Sequence, residues 1–345
     1  MISARTFSAK IFTTAGSIFI AWHRTPALGV LKPPAVHLVP AWCLALFMSD
    51  RFLFWAPTLI WATTWHAILY QLGEVSALHS VAMRFGMASL LLFGIAVWRR
   101  EALAVPLRLH AWLALTGAIQ YGLNYIGTYE AERHIASGLV AVLFSLMIFT
   151  NAIGGALCFG QPMTRRFLGF GSLGVLGVAL IFWPDIASAR ASPGVLWGVG
   201  LAMMAVTFAS IGNMLTLRLT RGGMSLIPLL AWSMGYGALT LVIIATALQV
   251  PFHLDPRPSY WLSLLYLSAM GSVVAFILYF KLAQRQGPGR AALMGMVIPA
   301  IALAVSAVLE GWRPNPVSAT GIVVCLWGLW GATRPVAPVP VNKDA

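Results

Sequence analysis

Gln120 and Asn124 stand four residues apart in an apolar stretch, so in a helix their amides share one face. Tyr121 and Tyr125 do the same on the adjacent face. Amides and phenols in that arrangement suit a small polar molecule with an apolar body. The same groups also serve as hydrogen-bonding glue between helices. His66, Asn151 and Asn213 lie well inside other apolar stretches, and His66 alone of these is of a type that can exchange a proton. Trp61 with Trp65, and Trp232 with Tyr236, repeat the four-residue spacing with aromatic rings. Such rings either wall a substrate or anchor and fill space at a membrane. The candidate substrate-binding set is therefore His66, Gln120, Asn124, Asn151, Asn213 and Tyr236, with Trp61 and Trp232 as apolar walls.

Four further residues invite a mechanical role. Arg84 lies about five residues inside a second apolar stretch, placed to reach an interface or to accept a substrate carboxylate. Glu130 and Lys281 are candidates for the mouth or gate of a pathway, and Pro299 for a hinge, because proline frees a carbonyl within a helix. Catalytic and metal chemistry find no constellation. There is no H-E-x-x-H, no G-x-S-x-G, no paired intramembrane aspartate and no phosphate-binding glycine loop. Cys43, Cys158 and Cys325 are far apart in apolar surroundings, with neither metal spacing nor a disulfide framework. No catalytic residue, metal or cofactor is expected. A nucleic-acid partner is excluded as well, since the net charge of +13 is spread thinly between apolar segments and forms no basic stripe.

The elements that position these residues follow from composition. Of 345 residues, 59% are hydrophobic and 9% charged, against about 25% charged in soluble domains. A chain so apolar needs lipid as its solvent, and a helical crossing takes about 20 apolar residues. The spans expected are 52–71, 79–98, 110–129, 137–158, 167–184, 194–216, 227–249, 260–281, 290–309 and 316–333. With both termini cytoplasmic, inner connections hold ten Lys or Arg and outer ones four, which fits a plasma-membrane protein of that orientation. Residues 1–50 mix basic residues with four prolines and read as a disordered or interfacial leader, with Met48 as an alternative start. Residues 335–345 read as a cytoplasmic tail.

The chain also repeats itself. Residues 137–148 line up with 288–299 at an offset of 151, and span 1 lines up with span 6, pairing Trp61 with Phe208 and His66 with Asn213. Two units result, 51–190 and 191–334, each of five helices. Five is odd, so the second unit enters the membrane from the opposite side, the arrangement of inverted-repeat transporters. Glu130 and Lys281 also differ by 151, but inversion puts them at opposite faces rather than in an ion pair. The fold class expected is an all-α integral membrane protein of ten transmembrane helices in two inverted five-helix repeats.

The sequence resembles the EamA-type branch of the drug/metabolite transporter superfamily. The matching pieces are Leu59 to Trp61, Met83-Arg84-Phe85, Ser137 to Ala141, Gly287 to Ala292, Ile298-Pro299 and Leu309-Glu310-Gly311-Trp312. They extend over residues 52–333 in order. Two positions depart from the family pattern: Ile148 stands where the first repeat usually has proline, and Gln161 where it usually has glutamate. The resemblance implies two five-helix repeats. The function expected is transport of small organic metabolites such as amino acids, by a secondary carrier or facilitated exporter, as monomer or homodimer in the bilayer. His66 and Glu130 are the groups through which protons would couple, and uncoupled facilitation fits the same residues. An intramembrane enzyme and a channel are the rival classes.

Overall fold

The structure, a computed structural model, describes residues 49–160, 163–187, 193–286, 291, 294–313 and 315–333. The leader up to Met48, Gln161, residues 287–290 and the tail lie outside these residues. Among the described residues all regular structure is helical.

Helix α1 spans Asp50–Leu69 and starts where Ser49 caps the amide of Phe52 at 3.2 Å. Helix α2, Ala77–Trp98, is capped in the same way by Ser76. A broken helix follows. It runs through α3, Leu107–Thr116, a π-helical segment Gly117–Leu123, and α4, Asn124–Glu132. Helices α5, Ser137–Ser145, and α6, Met147–Phe159, form one bent rod that ends at Gly160 in the left-handed conformation, φ 65°. Helix α7 spans Arg165–Ala187. The second half repeats this order with α8, Pro193–Arg221, and α9, Leu226–Ala247. A second broken helix follows, with α10, Pro258–Tyr266, the π segment Leu267–Val274, and α11, Ala275–Gln286. Helices α12, Met294–Leu309, and α13, Pro316–Thr333, complete it.

Among the described residues six rods are long and apolar enough to cross a membrane by length and composition: Asp50–Leu69, Ala77–Trp98, Ser137–Phe159, Pro193–Arg221, Leu226–Ala247 and Pro258–Gln286. Val297–Leu309 and Pro316–Gly331 are shorter apolar helices. The outward surface carries Trp55, Leu90, Trp98, Leu157, Trp197 and Leu262 exposed, an apolar coat that lipid would cover.

The packing of the two halves is reciprocal. Helix α2 packs on α9, α5 on α12, and α7 on α13, each with its own counterpart. Helix α1 packs on α12 and α11, while its counterpart α8 packs on the α5–α6 rod and α4. Small residues allow the closest of these approaches. A Cβ added at Gly177 of α7 would stand 2.3 Å from the Cys325 amide nitrogen of α13, and one at Gly328 2.4 Å from that of Gly174. These backbones touch, so only glycine fits.

The π segments fall at matching places, Gln120 in one and Gly271 in the other differing by 151. Each closes on a hydrogen bond that reaches five residues back, from Asn124 N to Ile119 O and from Ala275 N to Met270 O. The Ser272 hydroxyl adds a bond to Leu267 O at 2.9 Å. Widened turns of this kind leave backbone groups free for other partners and are frequent at functional sites. Pro299, by contrast, is carried inside α12, which continues on both sides of it.

Candidate functional site

Between the halves lies a cavity with about 120 Å³ of free space. The first half supplies Trp61 and Trp65 from α1, Arg84 from α2, Gln120, Asn124 and Tyr125 from the broken helix, and Phe144 and Asn151 from the α5–α6 rod. The second supplies Asn213 from α8, Phe276 and Tyr279 from α11, and Pro299 from α12. The lining has the character of a small-molecule site, mostly apolar with a few placed polar groups.

The aromatic lining has two groups of rings. Trp61 meets Phe276 and Tyr279 with ring centroids 5.3 Å away in each case, and Trp65 meets Phe144 at 4.9 Å. The second π segment fixes Trp61, whose indole nitrogen donates to the Gly271 carbonyl at 3.1 Å. The polar wall crosses between halves. Gln120 Nε2 donates to Asn213 Oδ1 at 3.3 Å, and Asn124 Nδ2 donates to the Gln120 carbonyl at 3.1 Å. Gln120 also lies tight against α8, where a Cβ at Gly212 would come within 2.1 Å of its Oε1.

Arg84 is 1% exposed. Its Nε donates to Ser272 Oγ at 3.1 Å and its Nη1 to the Tyr129 hydroxyl at 3.5 Å, while the guanidinium lies 4.6 Å from the Tyr125 ring centroid. The Tyr129 hydroxyl in turn donates to Gln71 Oε1 at 2.6 Å. Arg84 therefore does not reach water at an interface; it is held inside by both halves.

Of the residues expected to line a cavity, Gln120, Asn124, Asn151, Asn213 and Trp61 stand at this one, joined by Arg84 and Pro299. His66, Trp232 and Tyr236 stand elsewhere. One helix step turns a side chain by about 100°, so Trp65 takes the cavity face of α1 and His66 points to Glu310, with Nδ1 to Oε1 at 3.2 Å. Trp232 donates to the Leu103 carbonyl at 3.1 Å, and the Tyr236 hydroxyl meets His110 Nδ1 at 2.8 Å. Both serve the packing of α9 against the start of the first broken helix. Glu130 pairs with Arg133 at 3.5 Å where both are partly exposed, and Lys281 lies near the charges of Arg99, Arg285 and Glu101.

A second polar group was not foreseen from residue types. Glu310, just past α12, accepts the Ser137 amide at 3.2 Å and the Ser137 hydroxyl, so it caps α5 while holding His66 of α1. Ser306 completes the tie by accepting the Gly138 amide at 2.9 Å. Three helices are latched at one point. The only sequence signal for it was the Leu309-Glu310-Gly311-Trp312 motif, which gives no hint of a partner at Ser137.

The pattern of the EamA-like transporter family matches this chain twice, over residues 51–183 and 196–334. Protein PecM of Dickeya dadantii is 24% identical over 261 residues, 73% of this chain and 81% of that one. The protein named "Probable amino-acid metabolite efflux pump" of Salmonella typhimurium is 23% identical over 289 residues, 82% and 94% respectively. A crystal structure 15% identical in sequence superimposes with a TM-score of 0.60, covering 82% of this chain and 96% of its own, a likeness of fold alone. The two matched regions correspond to the two sets of helices that enclose the cavity. This chain belongs to the EamA-like transporter family and is a multi-pass membrane protein.

Proposed function

We propose that the protein is a secondary carrier or facilitated exporter of small organic metabolites, amino acids or related compounds, working by alternating access. The observation that carries this reading is the cavity, which takes its polar and aromatic lining from both halves of a reciprocally packed chain. A site at the interface of two repeats becomes exposed to either side when one half rocks against the other. The proposal includes ten membrane crossings in two inverted five-helix repeats, 51–190 and 191–334, with both termini cytoplasmic in the plasma membrane. The exchange of packing partners between halves supports a two-fold relation. An odd number of helices per half then requires the second to enter from the opposite side. The name of the Salmonella relative supports amino-acid metabolites as the substrate class. Pro299, at the cavity wall, is the proposed hinge, and Glu130 and Lys281 are the charges proposed near the ends of the path.

Purified protein in liposomes loaded with unlabelled metabolite should take up the labelled compound against its net gradient, saturably and faster than empty vesicles. A panel of amino acids and related metabolites, with and without a pH gradient, identifies substrate and proton coupling together. Uptake that rises linearly without counterflow would mean a channel, and chemical conversion of the panel would mean an enzyme; either overturns the carrier.

A further inference from the structure

The cavity is unevenly supplied with hydrogen-bonding groups, and the unevenness describes a ligand. On one side stands Arg84, which presents five N–H donors. The hydrogen bonds it makes, to Ser272 and Tyr129, use Nε and Nη1, and both partners are neutral. Among the described residues no carboxylate lies within ion-pair distance of it. The acid within electrostatic reach is Glu132, itself buried, and neither of its carboxylate oxygens has a protein donor. A buried cation without a counter-ion is costly in an apolar interior, and in membrane proteins such groups mark substrate paths.

On the other side the balance reverses. Gln120 Oε1, Asn124 Oδ1 and Asn151 Oδ1 are buried acceptors with no protein donor. Gln120 and Asn124 each spend a donor on the protein, Gln120 on Asn213 and Asn124 on the Gln120 carbonyl, so their oxygens remain the open valences. Arg84 and these amides line the same cavity as Tyr125, whose ring centroid lies 4.6 Å from the guanidinium. Trp61, Trp65, Phe276 and Tyr279 add an aromatic surface to the lining, beside aliphatic residues such as Met294 and Ile298.

The geometry points to Arg84 as the carboxylate anchor, and the Gln120–Asn124 amide oxygens as the amine anchor, of a zwitterionic α-amino acid whose apolar side chain lies on the aromatic wall. Guanidinium suits this task because its planar fork takes a carboxylate through two parallel hydrogen bonds, which an ammonium group cannot reproduce. A bound carboxylate also supplies the charge that Arg84 lacks, and a bound ammonium supplies donors to the open amide oxygens. The inference rests on the carrier reading above and adds the polarity and orientation of its substrate.

The test uses the full chain purified in detergent and two matched triplets, read by ligand-induced change in melting temperature. One triplet is L-phenylalanine, 2-phenylethylamine and 3-phenylpropanoate; the other is L-leucine, 3-methylbutylamine and 4-methylpentanoate. Wild-type protein should bind at least one amino acid and bind its amine and its des-amino acid at least about tenfold more weakly. R84K should lose about tenfold or more for the amino acid, and R84Q should bind amino acid and amine alike. An amine that binds wild type as tightly as its parent overturns the inference, as does an R84Q variant with wild-type affinity. Should the Arg84 variants fail to fold, the wild-type triplets decide alone. If none of the six compounds binds while other metabolites undergo counterflow, the zwitterion site is wrong and the carrier stands. If amino acids bind but nothing undergoes counterflow, the site stands and the carrier is wrong.

Discussion

Gln120→Leu is expected to reduce saturable transport by about a hundredfold while the protein still inserts and stays folded. Gln120 lines the cavity and bridges the two halves through Asn213, and its own oxygen has no protein donor. Leucine has similar bulk, and in a lipid-embedded protein it adds no new solvation penalty. Interhelical hydrogen bonds in membranes contribute about 0.6 kcal/mol on average, and at most about 1.7. The variant should therefore melt only slightly lower than wild type. A site built to hydrogen-bond a substrate, however, rejects one it can no longer satisfy by orders of magnitude. The two roles of this amide, glue and ligand contact, are thus separated by which quantity moves. A variant that transports at the wild-type rate but melts lower would assign Gln120 to structure alone. Asn213→Leu should behave alike, and the double variant should be little worse than either single one, because the pair acts as a unit.

The second large effect is expected at Glu310. Its carboxylate accepts from Ser137 at the start of α5 and meets His66 of α1, so Glu310→Ala leaves the Ser137 amide and the His66 ring without their partner. Stranding buried donors costs about 1–3 kcal/mol each, and the 12% exposure of the Glu310 side chain places this site toward the lower end. A fall in melting temperature of several degrees and at least a tenfold loss of transport rate are expected. Glu310→Gln keeps one acceptor oxygen and should fall between the two. Wild-type melting and transport in the alanine variant would show that the three-helix tie does not matter to the cycle.

The periodicity of polar residues carried part of the site and then reached its limit. A four-residue spacing says that two side chains share a face, and Gln120 with Asn124 do share the cavity face. The same spacing in Trp232 and Tyr236 was equally regular, yet their face meets Leu103 and His110. In a soluble helix the apolar stripe marks the inside, but in lipid both sides are apolar, and the pattern names a face without saying where it points. His66 illustrates the margin. It was aligned with Asn213, while the cavity position of α1 belongs to Trp65, one residue earlier. The π segments were not legible, because their five-residue hydrogen bonds leave no composition signal beyond scattered glycine and serine. The Glu310 tie depends on residues 173 apart in sequence, a distance over which a single sequence gives no pairing information. The order of the apolar stretches, by contrast, follows from hydropathy, and the described helices fall on those stretches.

If one cavity serves both sides of the membrane in turn, Ala209 is reached from each of them. This residue lines the cavity from α8 and is small, so Ala209→Cys, in a background with Cys43, Cys158 and Cys325 replaced by alanine, changes the wall little. The variant is placed in right-side-out and inside-out vesicles and treated with a membrane-impermeant thiol reagent. Labelling is expected from either side, with substrate slowing the reaction on both. Labelling confined to one side in the presence and absence of substrate would contradict alternating access, since a cavity that never opens to the second face cannot carry anything across.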